Sequence, residues 1–262
     1  MRRQRIIVSI LAGVLLAVFL LAGFLRQKYV VPVLMYHSIN TEKNPYMARL
    51  IVSPQTFERQ IRFLKNNRYN VLPLEEIATL LKEKKKIPPR TMAITFDDGY
   101  KDNYALAFPI LKKYNLPATI FIIVNEVNGP DRLSWKEIRQ MRDSGLVSFG
   151  SHCLGPEPLT NIKSEEDLRR EIFASKKILE KNLGREVTTF SYPEGRFNDK
   201  IRGLVIAAGY EAAVATSPGR QYSDSDIFAL KRLRISETSR NMFVFWIETS
   251  GFYTFIKERR DD

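Results

Sequence analysis

The chain has 262 residues, 44% hydrophobic and 27% charged, which leaves room for one globular domain of about 230 residues and an appendage. Its 41 basic and 29 acidic residues give a formal charge of +12. The basic runs Lys82-Glu83-Lys84-Lys85-Lys86 and Lys257-Glu258-Arg259-Arg260 read as solvated faces with no nucleic-acid-binding motif beside them, so nucleic acid is excluded as a partner, and the single Cys153 excludes an internal disulfide framework.

In chain order, the first feature is Ile6 to Leu25, an uncharged run of 20 residues broken only by Ser9, Gly13 and Gly23. As a helix rising ~1.5 Å per residue it spans ~30 Å of hydrocarbon, the length of a membrane anchor. It is longer than the ~7–15-residue apolar core of a signal peptide, and no clear small-x-small cleavage site follows it. Arg2, Arg3 and Arg5 precede it, and Arg26 and Lys28 follow. The cluster in front predicts a cytoplasmic N-terminus. The expectation is a stub and one transmembrane helix over 1–28, then one domain over 29–262 on the periplasmic or extracellular side of the cell membrane.

Val31 to Tyr36 reads as a buried strand ending at His37. Ser53-Pro54 supplies an N-cap and a first-turn proline for a helix carrying Phe57, Ile61 and Leu64, and a second helix covers Leu74 to Lys82. Thr91 to Phe96 is the next strand, delivering Asp97 and Asp98. Asn103 to Tyr114 is helical in composition, though Pro109 should break or restart it. Ala118 to Val124 is rich in β-branched residues and reads as strand. Ser134 caps a helix over Trp135 to Ser144 that Gly145 ends, and Leu146 to Gly150 is a strand leading to His152. Ser164-Glu165-Glu166-Asp167 resembles a capping box, opening a helix through Leu168, Ile172, Leu179 and Leu183 that Gly184 stops. Val187 to Ser191 is a strand, Asn198 to Gly209 a helix, and Glu211 to Thr216 and Ala229 to Ile235 two more strands. Met242 to Ile256 reads as a closing aromatic helix. About seven strands alternating with helices imply an α/β fold with a parallel sheet, either doubly wound or closed into a barrel.

Three motifs follow apolar β-type runs: Thr95-Phe96-Asp97-Asp98-Gly99-Tyr100, Gly150-Ser151-His152 and Phe190-Ser191-Tyr192-Pro193-Glu194-Gly195. With Val33-Leu34-Met35-Tyr36-His37, Leu116-Pro117-Ala118-Thr119-Ile120-Phe121 and Ser134-Trp135, they resemble the successive motifs of the polysaccharide deacetylases, the NodB-type carbohydrate esterases. The resemblance covers about Val31 to Ile235 and implies the distorted (β/α) barrel of that family. His37, Asp97, Asp98, His152 and Tyr192 fall at C-terminal strand ends, where barrel enzymes build their sites.

Removing an acetyl group from an amide requires an activated water, a stabilised oxyanion and a proton for the departing amine, and a divalent metal can supply the first two. The resemblance implies Asp98 and His152 as metal ligands and Asp97 as the general base. It also implies a second histidine four or five residues after the first, where this chain has Pro156 and Glu157, so the second metal-ligand motif is degenerate. Proline cannot bind a metal, whereas Glu157 can serve as third ligand. A solvated loop glutamate is the equal alternative, and Cys153 reads as an inert small apolar residue. One divalent ion is expected, zinc first, with nickel, cobalt, iron or manganese as alternatives. Tyr192, Pro193, Glu194 and Gly195 form the expected substrate loop, which would give the oxyanion a backbone N–H. The family's late Leu-x-His histidine has no counterpart, because His37 and His152 are the only two histidines. His37 is therefore the candidate acid or orienting group, and Arg234 the candidate to orient Asp97. The resulting reading is a membrane-anchored hydrolase removing N-acetyl groups from an N-acetylhexosamine-containing cell-envelope polysaccharide, of peptidoglycan or poly-N-acetylglucosamine type. The alternative is a catalytically impaired member that binds glycan or acts in polysaccharide assembly.

Overall fold

The computed structural model describes residues 30–42, 49–216 and 226–253, together with residue 13. The apolar run from Ile6 to Leu25, Gly13 apart, lies outside the described residues, and among those residues no helix is long and apolar enough to cross a membrane. The strands are β1 (Val33–Tyr36), β2 (Ser38–Ile39), β3 (Ile51–Val52), β4 (Asn70–Val71), β5 (Thr91–Phe96), β6 (Ala118–Ile122), β7 (Val147–Ser151), β8 (Thr189–Ser191), β9 (Ala212–Ala215) and β10 (Leu230–Arg234). The α-helices are α1 (Pro54–Asn66), α2 (Leu74–Lys82), α3 (Phe108–Tyr114), α4 (Trp135–Asp143), α5 (Glu165–Arg169), α6 (Ser175–Leu183), α7 (Asp199–Ala207) and α8 (Met242–Glu248).

Strands β5, β6, β7, β8, β9 and β10 pair in that order, all parallel, and β1 joins β10 to β5. That last pairing closes a seven-stranded barrel and decides between the two architectures the alternating pattern allows. β4 lies outside the ring, against Thr91 and Met92 at the start of β5, and β2 and β3 form a separate parallel pair. These three strands have two residues each, too short for any periodicity to announce them.

Local chemistry sets the element boundaries. The Ser53 side chain accepts from the Thr56 N–H to start α1, Ser134 and Glu137 form a full capping box on α4, and Asn198 accepts from Ile201 to start α7. Pro109 restarts its helix rather than ending it. A π-helical turn over Asn103–Ala107, with the Phe108 N–H donating to the Asn103 carbonyl, runs straight into α3. Pro109 thus stands in the first turn of α3, where a missing N–H costs little. The closing helix ends at Glu248, with the Thr249 and Ser250 N–H groups turning back onto it, and positions 254–256 of the expected span lie outside the described residues.

One end of the barrel is closed. Leu74, Ile77 and Ala78 of α2 pack with Val33, Ala93, Phe121, Ala212, Val214 and Leu230 in one apolar cluster. The α2 N-terminus is pinned by Thr119 Oγ1, which accepts from the Leu74 N–H at 3.2 Å. The other end, at the C-terminal edges of the strands, carries the polar residues.

Candidate active site

Strand alternation selects what fills the lumen, because every second side chain of a strand faces the same way. From the inward residues of the apolar cluster the parity runs Val33, Met35, His37 on one strand and Ala93, Thr95, Asp97 on another. It continues as Phe121 and Ile123, Gly150 and His152, Val214 and Thr216, and Leu230, Arg232 and Arg234. The upper members of these series line a cavity of about 440 Å3, together with Leu50, Asp98, Pro156, Pro193, Glu194 and Gly195. The site is thus the mouth of the barrel, floored by the core.

Its central interaction is a buried ion pair. Arg232 Nη1 donates to Asp97 Oδ1 at 2.6 Å and Nη2 to Oδ2 at 2.7 Å, with both residues 3% exposed. Ser191 Oγ accepts from Nη2 at 3.0 Å, and the guanidinium lies 5.6 Å from the centre of the Phe121 ring. Burial alone would push the Asp97 carboxyl up, but the Arg232 charge beside it and the hydrogen bonds from Arg232 hold it far below the usual carboxylate range. Asp97 is therefore ionised at any ordinary pH, and the two-pronged geometry fixes its plane.

His152 is oriented from behind. Its Nδ1 lies 2.8 Å from the Ser191 carbonyl, and a carbonyl only accepts, so Nδ1 carries the proton. In the neutral ring the Nε2 lone pair is left facing the carboxylates, at 3.5 Å from Asp98 Oδ1 and 4.0 Å from Asp97 Oδ2. His37 is buried at the same mouth, and Asn103 Nδ2 donates to its carbonyl at 2.8 Å. Burial lowers the His37 pKa and outweighs the opposing pull of Asp97 and Asp98, so the ring is neutral near pH 7. Its Nδ1 is buried with no hydrogen-bond partner among the described residues.

Backbone strain collects here. Asp98, Cys153 and Glu194 adopt φ of +69°, +68° and +56°, a left-handed conformation that costs a non-glycine residue about 1–3 kcal/mol. Each stands in a turn just past a barrel strand. Gly195, at φ +70°, admits no side chain, because a Cβ there would lie 2.5 Å from the Thr216 nitrogen. In this loop the Tyr192 N–H donates to Val214 and the Gly195 N–H to Tyr192, while Pro193 has none. Glu194 is left as the loop residue whose N–H has no acceptor among the described residues and which also lines the cavity. Tyr192 itself is buried, stacked on Phe197 at 4.3 Å, with its hydroxyl donating to the Phe228 carbonyl. It supports the loop from behind.

The structure brings His37, Asp97, Asp98, His152, Pro193, Glu194, Gly195 and Arg234 around one cavity, and leaves Glu157 out. Glu157 is exposed and accepts from Asn161 Nδ2 at 2.6 Å, while its neighbour Pro156 faces the mouth. Among the described residues no group of three or more His, Cys, Asp or Glu side chains is spaced to hold a metal ion. The Asp98 carboxylate and the His152 Nε2 lone pair still form a converging oxygen and nitrogen donor pair suited to one face of a divalent cation. Arg234 is at the rim and exposed, and the arginine on Asp97 is Arg232, one inward position lower on β10. Sequence reasoning missed Arg232 and Ser191. The available signal was a charged residue at an inward position inside the apolar run of Leu230 and Leu233, which a buried carboxylate must answer.

Comparison with known proteins agrees with this geometry. The family profile described as polysaccharide deacetylase matches residues 84–213. The Bacillus subtilis protein YxkH is 34% identical over 219 residues, covering 83% of this chain and 76% of that one. The poly-beta-1,6-N-acetyl-D-glucosamine N-deacetylase of Staphylococcus aureus is 33% identical over 198 residues, covering 71% and 68%. Among solved structures, the Streptococcus pyogenes deacetylase PplD in complex with acetate superposes with a TM-score of 0.73 at 30% identity, covering 79% of this chain and 93% of that one.

Proposed function

The chain belongs to the polysaccharide deacetylase family and is a polysaccharide N-deacetylase, and on that premise we propose that it removes N-acetyl groups from an N-acetylhexosamine-containing polymer of the cell envelope. The observation that carries the reading is the ionised Asp97, clamped by Arg232 beside the Asp98 and His152 donors at an open barrel mouth. Asp98 and His152 are the residues that would hold a divalent metal, which when bound polarises the acetyl carbonyl and makes water more acidic. Asp97 takes the proton of the attacking water, and Arg232 keeps its carboxylate ionised and aimed. The Glu194 N–H is the donor for the oxygen of the tetrahedral intermediate. His37, neutral at the mouth, orients the substrate or relays to the departing amine the proton that Asp97 has taken from water, accepting it on one ring nitrogen and releasing one from the other. The exposed Glu157 has no part in this chemistry.

The relative that acts on poly-beta-1,6-N-acetyl-D-glucosamine supports a polymer of that type, with peptidoglycan second. The uncharged run from Ile6 to Leu25 supports a single-pass anchor that holds the domain outside the membrane, close to such a polymer. The test is acetate release by the full chain from β-1,6-linked N-acetylglucosamine oligomers and from peptidoglycan, after loading with zinc, nickel, cobalt or manganese in turn. Release is expected with at least one ion. It should vanish in His152→Ala and persist in Glu157→Ala. No release from either glycan with any ion would move the assignment to a glycan-binding protein on a deacetylase scaffold.

A further inference from the structure

Helix α8 is built inside out. Its one carboxylate, Glu248, is buried and accepts from Ser239 Oγ at 3.2 Å, beside Phe245, which is fully buried against Phe63. The outward face carries Phe243, Val244 and Trp246, at 64%, 37% and 50% exposure. These are three of the five large apolar side chains exposed among the described residues, the other two being single residues elsewhere. The Phe243 and Trp246 rings lie 5.7 Å apart, forming one patch. A helix that is apolar on both faces has a second apolar environment to enter, and isolated surface hydrophobics do not account for it.

The place of this helix relative to the chain's entry identifies that environment. The Val30 N–H donates to the Gly251 carbonyl at 2.9 Å, three residues past the helix end. The uncharged run ends at Leu25. Five residue steps of at most ~3.6 Å put Val30 within about 18 Å of the end of that run, and the segment hydrogen-bonded to Val30 leads back in three residues to the helix end. Arg240, just before the helix, and Arg59, whose Nη2 lies 3.4 Å from the Arg240 carbonyl, are both exposed cations at the start of the helix that carries the patch. Tryptophan and phenylalanine flanked by arginine form the composition that sits at a bilayer interface and meets anionic headgroups.

We propose that the outward face of α8 rests on the surface of the membrane, with Phe243 and Trp246 in the interfacial layer; this rests on the anchor reading above. The anchor then holds the barrel in one orientation and not on a free tether. The test uses the full chain with Trp135→Phe, which leaves Trp246 as the sole tryptophan. It is reconstituted in vesicles of phosphatidylcholine and phosphatidylglycerol, with and without lipids brominated just below the headgroups. Co-flotation with the vesicles and a loss of about half or more of the Trp246 emission to the bromines is expected. The Trp246→Phe chain, in which only Trp135 emits, should float equally and stay unquenched. Flotation with unquenched, solvent-exposed Trp246 emission overturns the proposal and leaves the anchor standing. Failure to float overturns the anchor and the proposal together. Shielding of Trp246 that grows with protein density and ignores bromine assigns the patch to a second copy of the chain and likewise overturns the proposal.

Discussion

In the proposed reaction the Asp97 carboxylate accepts a proton, yet Arg232 holds it far below the usual carboxylate range. These demands pull apart, since a base works best with a pKa near the working pH. The arrangement favours geometry over basicity: two short hydrogen bonds fix the carboxylate, and its ionised state never lapses. In Asp97→Asn, Arg232 keeps its charge in the core without a counter-ion, which should cost about 3–5 kcal/mol. Adding Arg232→Met removes the stranded charge and should return most of that stability, while acetate release stays absent in both variants. Denaturant unfolding beside an activity assay separates the two effects, and a double variant as unstable as the single one would refute the ion-pair account. The sign of the pH effect follows from the same pair. Because the folded-state pKa of Asp97 is depressed, its contribution is complete above the unfolded value of about 3.9 and is lost as the pH falls below it. The parent should therefore lose stability more steeply than the double variant below about pH 4. Much of this site was legible in the motifs that carry Asp97, Asp98 and His152. Arg232 was not, because a strand-end rule pointed to the exposed Arg234 while the partner of a buried carboxylate has to be buried too.

Among the elements, β7 shows how a strand makes room for a site. Gly150 is its inward residue just below His152, and a Cβ there would meet the Phe121 ring at 2.5 Å and Thr189 Oγ1 at 2.6 Å. Phe121 is the ring under the Arg232 guanidinium, so the absent side chain is what lets the floor of the site be aromatic. Gly150→Ala should destabilise the fold by about 1–3 kcal/mol and lower kcat by displacing Phe121 and Arg232. Adding Phe121→Leu should recover stability by relieving the clash, and no recovery would place the strain elsewhere. The sequence showed the seven barrel strands by their apolar runs and the helix starts by Ser53, Ser134 and Asn198. It did not show how the chain would absorb Pro109. The π turn that does so carries Asn103, which donates to the His37 carbonyl, and that long-range bond has no local signature.

At the scale of the molecule, closure of the sheet was the unreadable step. Alternating strands and helices do not encode the stagger at which β1 meets both β5 and β10. Once closed, the barrel divides its labour: α2 seals the N-terminal end with apolar side chains, and the strained turns holding Asp98, Cys153 and Glu194 crowd the open end. Both ends, and every barrel strand, are supplied by residues 30–253. The segment before them should accordingly contribute location and not chemistry. A chain shortened to begin at Lys28 is expected to keep kcat and KM on soluble N-acetylglucosamine oligomers and its thermal midpoint, while losing deacetylation of polymer on intact cells. If the shortened chain instead loses activity on oligomers in step with its midpoint, the N-terminal segment belongs to the folded domain. If it keeps activity on both substrates, neither the anchor nor the seating of α8 on lipid is what brings the mouth of the barrel to its polymer.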